Sequence, residues 1–285
     1  MNNRRFAGLL LAACLVTPIL AQMPEGYLDM DIAKVKMGKR GEFNSINKTM
    51  KEINRKNKGD NWLVYEIMYG DPNTVCFVSA RASYAAAEQG AKSFEGALTK
   101  SLGAAGMQKL FDSWDATVDN EQALLRRRRW DLTAGAPANP AAYNELVGHA
   151  RYLRLVTIHV RSGHITEFEA ALRTNKDAQE RANPGIGMLV SQGAAGEQLG
   201  VFYITTLLKS LADLDGIKPL QEVLGSSYGE YEKIAAAIVS STDIRIGRFL
   251  PDLSNPPDEI VAVDPKFWRP APPPAPAKPA AETKK

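Results

Sequence analysis

One six-residue pattern occurs twice in this 285-residue chain and restricts its fold more than any bulk property. Gly38-Lys39-Arg40-Gly41-Glu42-Phe43 is answered 125 residues later by Gly163-His164-Ile165-Thr166-Glu167-Phe168. Each copy follows a strand-like run and opens a segment of helical spacing. Val35, Lys36 and Phe77 find Val160, Arg161 and Phe202 at the same offset of 125. Further on the offset shortens, so that Gly103 matches Gly225, Arg126 matches Arg245, and Arg129-Trp130 matches Arg248-Phe249. Loops absorb small deletions of this kind, and self-similarity sustained along a chain marks an internal duplication.

Hydrophobic spacing gives both halves one element order. In the first, residues 31–37 read as a strand, and Phe43, Ile46, Met50 and Ile53 lie on one face of a helix. Strands at 62–68 and 75–80 flank a Gly70-Asp71-Pro72-Asn73 turn. A helical region over 84–114, interrupted near Gly103 to Gly106, leads to a last strand at 123–133. The second half repeats this with strand 152–160, helix 165–182, strands 187–192 and 200–207, a helical region over 211–240 broken at Gly225, and strand 243–250. The order β-α-β-β-α-β puts two helices on one face of a four-stranded antiparallel sheet and leaves the other face bare. A bare apolar face must be covered, and a second copy covers it. The fold class that follows is α+β: two tandem ferredoxin-like βαββαβ repeats, residues 28–135 and 151–255, packing their antiparallel sheets into one pseudo-dimeric α+β barrel. Residues 136–150 read as a linker around Pro137 to Pro140, and 256–285 as a Pro/Ala-rich disordered tail.

The Gly-(Lys/His)-x-x-Glu-Phe opening and this element order resemble the dimeric α+β barrel superfamily, which includes NIPSNAP-type proteins and antibiotic-biosynthesis-monooxygenase-like domains. The resemblance covers roughly residues 28–255. It implies an inter-sheet space that takes small apolar ligands or haem, or carries out cofactor-free oxidation.

The ends set the context. Arg4 and Arg5, an apolar run from Phe6 to Leu20 and Ala21 form the pattern of a secretory signal peptide, residues 1–21. Leu11-Ala12-Ala13-Cys14 offers lipidation as a less favoured alternative, because Leu15 to Leu20 stay apolar after the cysteine. Export leaves Cys76 as the single thiol of a secreted or periplasmic chain, so packing rather than a disulfide must hold the fold. No later run is long enough for a transmembrane segment. A net charge of +3 with mixed signs points away from nucleic acid.

Strand alternation selects the candidate site. With Phe77 and Phe202 turned to the helices, Lys34, Glu66, His159 and Tyr203 become the polar residues expected inside the barrel. His159 is the weak catalytic candidate, as a base or a haem ligand; a structural histidine is the blander reading. His164 opens a helix and His149 lies in linker-like sequence, and no spacing suggests a metal site. Glu42 and Glu167 suit the first turn of a helix, Cys76 a core position, and Arg126 to Arg129 a sheet edge kept from aggregating. No hydrolase, nucleotide-binding or dithiol signature is present. The expectation is an exported monomer that binds a small apolar ligand or a protein partner. The alternative is a cofactor-free or haem-dependent, monooxygenase-like oxidoreductase. A third reading is an envelope protein whose proline-rich tail engages a neighbour. No cofactor is predicted, haem is left open, and the sequence assigns no reaction.

Overall fold

The computed structural model of the chain describes residue 23, residues 25–182 and residues 186–270. The signal-peptide segment, Cys14 and the proline run beyond Pro270 lie outside the described residues. Each copy of the repeated motif begins with a glycine in the left-handed region, Gly38 at φ 78° and Gly163 at φ 87°, which reverses the chain from strand to helix.

In chain order the elements are β1 (Tyr27–Val35), α1 (Arg40–Asn57), β2 (Leu63–Tyr69), β3 (Thr74–Arg81), α2 (Tyr84–Asp115) and β4 (Val118–Arg128). Then follow α3 (Pro140–Gly148), β5 (Tyr152–Val160), α4 (Ile165–Ala182), β6 (Met188–Ala195) and β7 (Val201–Leu208). The last are α5 (Leu220–Leu224), α6 (Tyr228–Ile238), β8 (Val239–Phe249), α7 (Asp258–Val263) and α8 (Pro265–Trp268). The eight strands close into one antiparallel barrel in the order β1-β3-β2-β8-β5-β7-β6-β4. Each half supplies four adjacent strands. The seams are β2–β8, where Tyr65 faces Phe249, and β4–β6, where Arg126 faces Gly193.

Alternation along the strands builds three cores. Outward residues of the first half, among them Ala33, Val35, Val64 and Val75, pack with Phe43 of α1. Val156, Ile158, Val160 and Phe202 do the same with Phe168 and Leu172 of α4. The two phenylalanine pairs, Phe43–Phe77 at 6.3 Å and Phe168–Phe202 at 4.9 Å, join helix to sheet in both halves, as the alternation predicts. Inward residues from both halves, including Met30, Tyr65, Leu124, Leu153, Leu155 and Tyr203, form the third core inside the barrel. The helical breaks fall at the expected glycines, Gly103 (φ 69°, ψ 168°) and Gly225 (φ 53°, ψ −124°).

Four expectations need correction. The strand placed at 123–133 runs over 118–128, and Trp130–Leu132 form a 3-10 turn. The linker at 136–150 holds α3, whose start is fixed by Asn139 accepting from the Ala142 N–H and by Pro140 in the first turn. The tail assigned to 256–285 begins as folded structure: Ile260 and Val261 of α7 enter the barrel core, and Trp268 of α8 is 1% exposed, its indole N–H donating to the Gly148 carbonyl at 2.9 Å. Finally, the four arginines do not sit on an edge, because β4 pairs with β1 on one side and β6 on the other. Closure removes edges, and with them the edge-protection argument.

Candidate functional site

The barrel interior is divided at mid-height. Tyr65, Arg126 and Leu155 border a cavity of about 310 Å³ on one side and one of about 340 Å³ on the other. Strand direction assigns the surroundings. The first cavity lies towards the start of β1 and β5 and is walled by apolar residues such as Leu28, Leu63, Leu153 and Leu207. Tyr143 and Val147 of α3 and Ile260 of α7 line this end. The second cavity lies towards the hairpins β2–β3 and β6–β7 and is polar, with Arg126, Arg245, His159, Gln122 and Glu197 on its walls.

Arg126 is the central feature. It is 4% exposed, and its guanidinium carbon lies 3.3 Å from the centroid of the Tyr203 ring, a cation–π stack inside the barrel. The β4–β6 ladder slips between Leu125 and Arg126, a bulge of the kind that re-aims a side chain. The Tyr203 hydroxyl donates to Glu197 Oε2. Arg126 Nε and Glu197 Oε1 are both buried without a hydrogen-bond partner. A Cβ on Gly193 would lie 2.5 Å from Glu197 Oε1, so glycine there leaves the carboxylate its place. Arg245 enters the same chamber from β8, but its Nε pairs with Asp243 at 2.5 Å.

Burial acts on the other ionisable groups of this interior. It pushes the Cys76 thiol up to about 11, against the opposing pull of a Tyr65 hydrogen bond and the Arg126 and Arg245 charges. It also raises the Tyr65 and Tyr203 hydroxyls above their ordinary range. None of the three is poised to ionise as a nucleophile or base near neutrality.

The structure places the four sequence candidates unequally. His159 and Tyr203 do meet in the polar chamber. Lys34 stands at the rim, where its ammonium binds Asp71 and the Pro72 carbonyl and holds the Asp71 carboxyl below the usual range. Glu66 faces the helices instead, paired with Arg40 of α1 and with Arg248. Its neighbour across the ladder is the fully buried Val75 of the helix-side core, which fixes that orientation. The repeated glutamates close exposed pairs at the helix starts, Lys39–Glu42 at 2.7 Å and His164–Glu167 at 2.8 Å. His149 pairs with Glu145 on α3. Arg126 and Arg245 went unassigned to the interior, although the repeat keeps both; that retention was the available signal.

A separate cavity of about 490 Å³ lies between the first half's sheet and α1 and α2, lined by Trp62, Phe77, Phe94 and Trp114 with Asp31 and Glu121 beside them. Among the described residues no helix is long and apolar enough to cross a membrane, and no cluster of metal-ligating side chains occurs.

No family model matches the sequence, and no curated protein matches it. Solved structures do resemble it in shape. An anthrone oxidase-like protein superposes with a TM-score of 0.50 at 11% identity, covering 79% of this chain and 91% of that one. Chlorite dismutase from Candidatus Nitrospira defluvii gives 0.45 at 12% identity, over 86% and 95% of the two chains. A haem-binding protein from Thermus thermophilus gives 0.44 at 10% identity, over 81% and 93%. At such identities the first of these supports the fold and nothing finer.

Proposed function

We propose that this chain, by fold a member of the dimeric α+β barrel superfamily, binds one small, mostly apolar molecule inside its barrel. The observation that carries this is the cavity of about 310 Å³, walled mostly by apolar residues of both halves and lined at its end by α3 and α7. Interior apolar space that side chains leave unfilled forfeits packing energy, and an apolar ligand recovers it. Concave, largely apolar sites with a few polar groups are the usual form of small-molecule pockets.

The same reading treats the halves as tandem ferredoxin-like repeats. It is supported by the strand order β4-β1-β3-β2 in the first and β8-β5-β7-β6 in the second. One chain then supplies what two subunits would otherwise bring, and the protein is a monomer. Sedimentation at micromolar concentration should give the mass of one chain; a stable dimer contradicts this.

The oxidoreductase alternative rests on His159. Haem does not suit the residues around it: His159 stands in the polar chamber with two guanidiniums and a carboxylate, whereas the apolar surface that porphyrin faces require lies beyond Tyr65, Arg126 and Leu155. The buried thiol and phenols, pushed towards their neutral forms, favour binding over covalent or base chemistry.

Native mass spectrometry of the purified full chain tests the proposal, together with uptake of the neutral dye Nile red. The expected result is an extra, extractable mass or dye binding, lost in Leu207→Trp, which fills the apolar cavity. A colourless chain of bare mass that takes up no dye overturns it, and a Soret band lost in His159→Ala restores the haem reading.

A further inference from the structure

We infer that the barrel's ligand is an amphipathic organic acid, its apolar body in the chamber beneath α3 and α7 and its carboxylate at Arg126. The inference rests on the binding proposed above and adds the chemical class. Arg126 borders both chambers and so stands where the head of a molecule lying along the barrel axis would meet the polar half.

A buried cation is costly unless paired. Arg129, the other buried arginine of this run, obeys that rule by pairing with Asp131 and Glu169, while the half-buried Arg128 stacks over Trp130 and Tyr143 and donates to the Tyr143 hydroxyl. Arg126 is among the most buried of the charged groups, yet it has no ion pair among the described residues and its Nε lacks any acceptor. The Tyr203 face stabilises the charge in part but accepts no N–H bond at Nε. A carboxylate supplies the missing acceptor and charge together.

The charged groups of the polar chamber set the head's valence, while in the apolar chamber Asp60 and Arg81 pair with each other and Arg128 stacks on Tyr143. Arg245 adds positive potential, reduced by its partner Asp243. Glu197 is negative and is held in place by Tyr203, with one oxygen still unpaired. A single negative charge beside Arg126 is favourable, whereas a dianion such as a phosphate monoester meets Glu197 at full cost. Attraction and built-in repulsion together give selectivity.

The test is displacement of Nile red from the full chain by decanoate, by decanol and by decyl phosphate. Decanoate should bind about tenfold or more tightly than decanol, with decyl phosphate weaker than decanoate. Arg126→Met should bring decanoate down to the level of decanol and leave decanol unchanged. Glu197→Gln should move decanoate the other way, to severalfold tighter binding, so the inference stays testable if the first variant does not fold. A buried arginine kept for its ligand rather than for the fold also predicts that Arg126→Met leaves the urea midpoint of the ligand-free protein unchanged or raises it. Equal binding of decanoate and decanol by the wild type overturns the acid head and leaves the apolar site standing. If the dye binds but no probe displaces it, the acid head is overturned and the apolar site stands; if no dye binds, the binding reading itself fails. A lowered midpoint in Arg126→Met, with decanoate affinity intact, makes the Arg126–Tyr203 stack structural and overturns the inference.

Discussion

The two ends of the barrel are built from opposite materials. At one end the strands are covered by α3 and by the C-terminal α7 and α8, and the inward lining is mostly apolar, with Asp60, Asn61, Arg81, Arg128, Ser191 and Thr205 among its polar members. At the other, Arg126, Arg245, His159 and Glu197 line the space, and none of its lining residues belongs to a helix. Exposed apolar side chains, Met37 (91%), Tyr69 (61%) and Leu199 (87%), stand on the strand ends around that second mouth. One sheet thus presents a mostly apolar end lined by helices and a charged end lined by strands and loops alone. The difference does not come from the strands alone. The cap consists of segments outside the eight-strand pattern, one joining the halves and one following the last strand. The helix-covered end is a stability element, and the polar end trades stability for charge.

That contrast can be broken in order of expected size. Trp268→Ala removes the buried indole that ties α8 to Gly148, and should cost about 3–5 kcal/mol in urea unfolding. Deleting residues 271–285 should change stability by less than about 0.5 kcal/mol. This separates a cap from a tail, and a deletion begun at residue 265 would confuse the two because it takes Trp268 with it. Gly148→Ala should cost about 1–3 kcal/mol, since a Cβ there would lie 2.5 Å from the Val263 side chain and push α7 away from α3.

At the border of the polar chamber, Cys76 should leave a pH signature. Its thiol is raised to about 11 in the fold and ionises near 8.5 when unfolded. Between those values the unfolded state holds fewer protons than the folded one, so stability falls as pH rises through that window. The fall attributable to Cys76 is about 3 kcal/mol, and Cys76→Val should remove that part of the slope. The smallest effects belong to the repeated motif. Glu42→Gln or Glu167→Gln should shift stability by less than about 0.5 kcal/mol, because each carboxylate closes an exposed pair three residues away.

What the sequence disclosed follows the same division. The strand–helix order and the faces of Phe77 and Phe202 were legible because they depend on periodicity within one element. Glu66 was misplaced because β2 carries apolar residues on both faces, Val64 outward and Tyr65 and Ile67 inward, so alternation alone does not orient it. Its direction is settled only by pairing with Val75 on β3. Lys34 had the right parity but the wrong depth, and depth depends on where the turn carrying Asp71 folds back. The cap had a signal that went unused. Asn139-Pro140 and Asp264-Pro265 each set a capping side chain before a proline in the first helical turn. In both places the surrounding prolines read as a break in structure when they marked its start. The arginines needed closure itself: Arg126 and Arg245 face inward as a pair only once β4 and β8 have partners on both sides.

The seam between β2 and β8 also fixes an order in time. Tyr65 and Phe249 face each other across it, roughly 180 residues apart along the chain, and contacts of such range form slowly. The inner face of the first sheet stays uncovered until β8 and its neighbours pack against it. The lid follows later still, as Trp268 lies 19 residues beyond Phe249. The wall of the apolar chamber is therefore complete only once the chain's C-terminal helices have joined it, and a guest can enter before that last step.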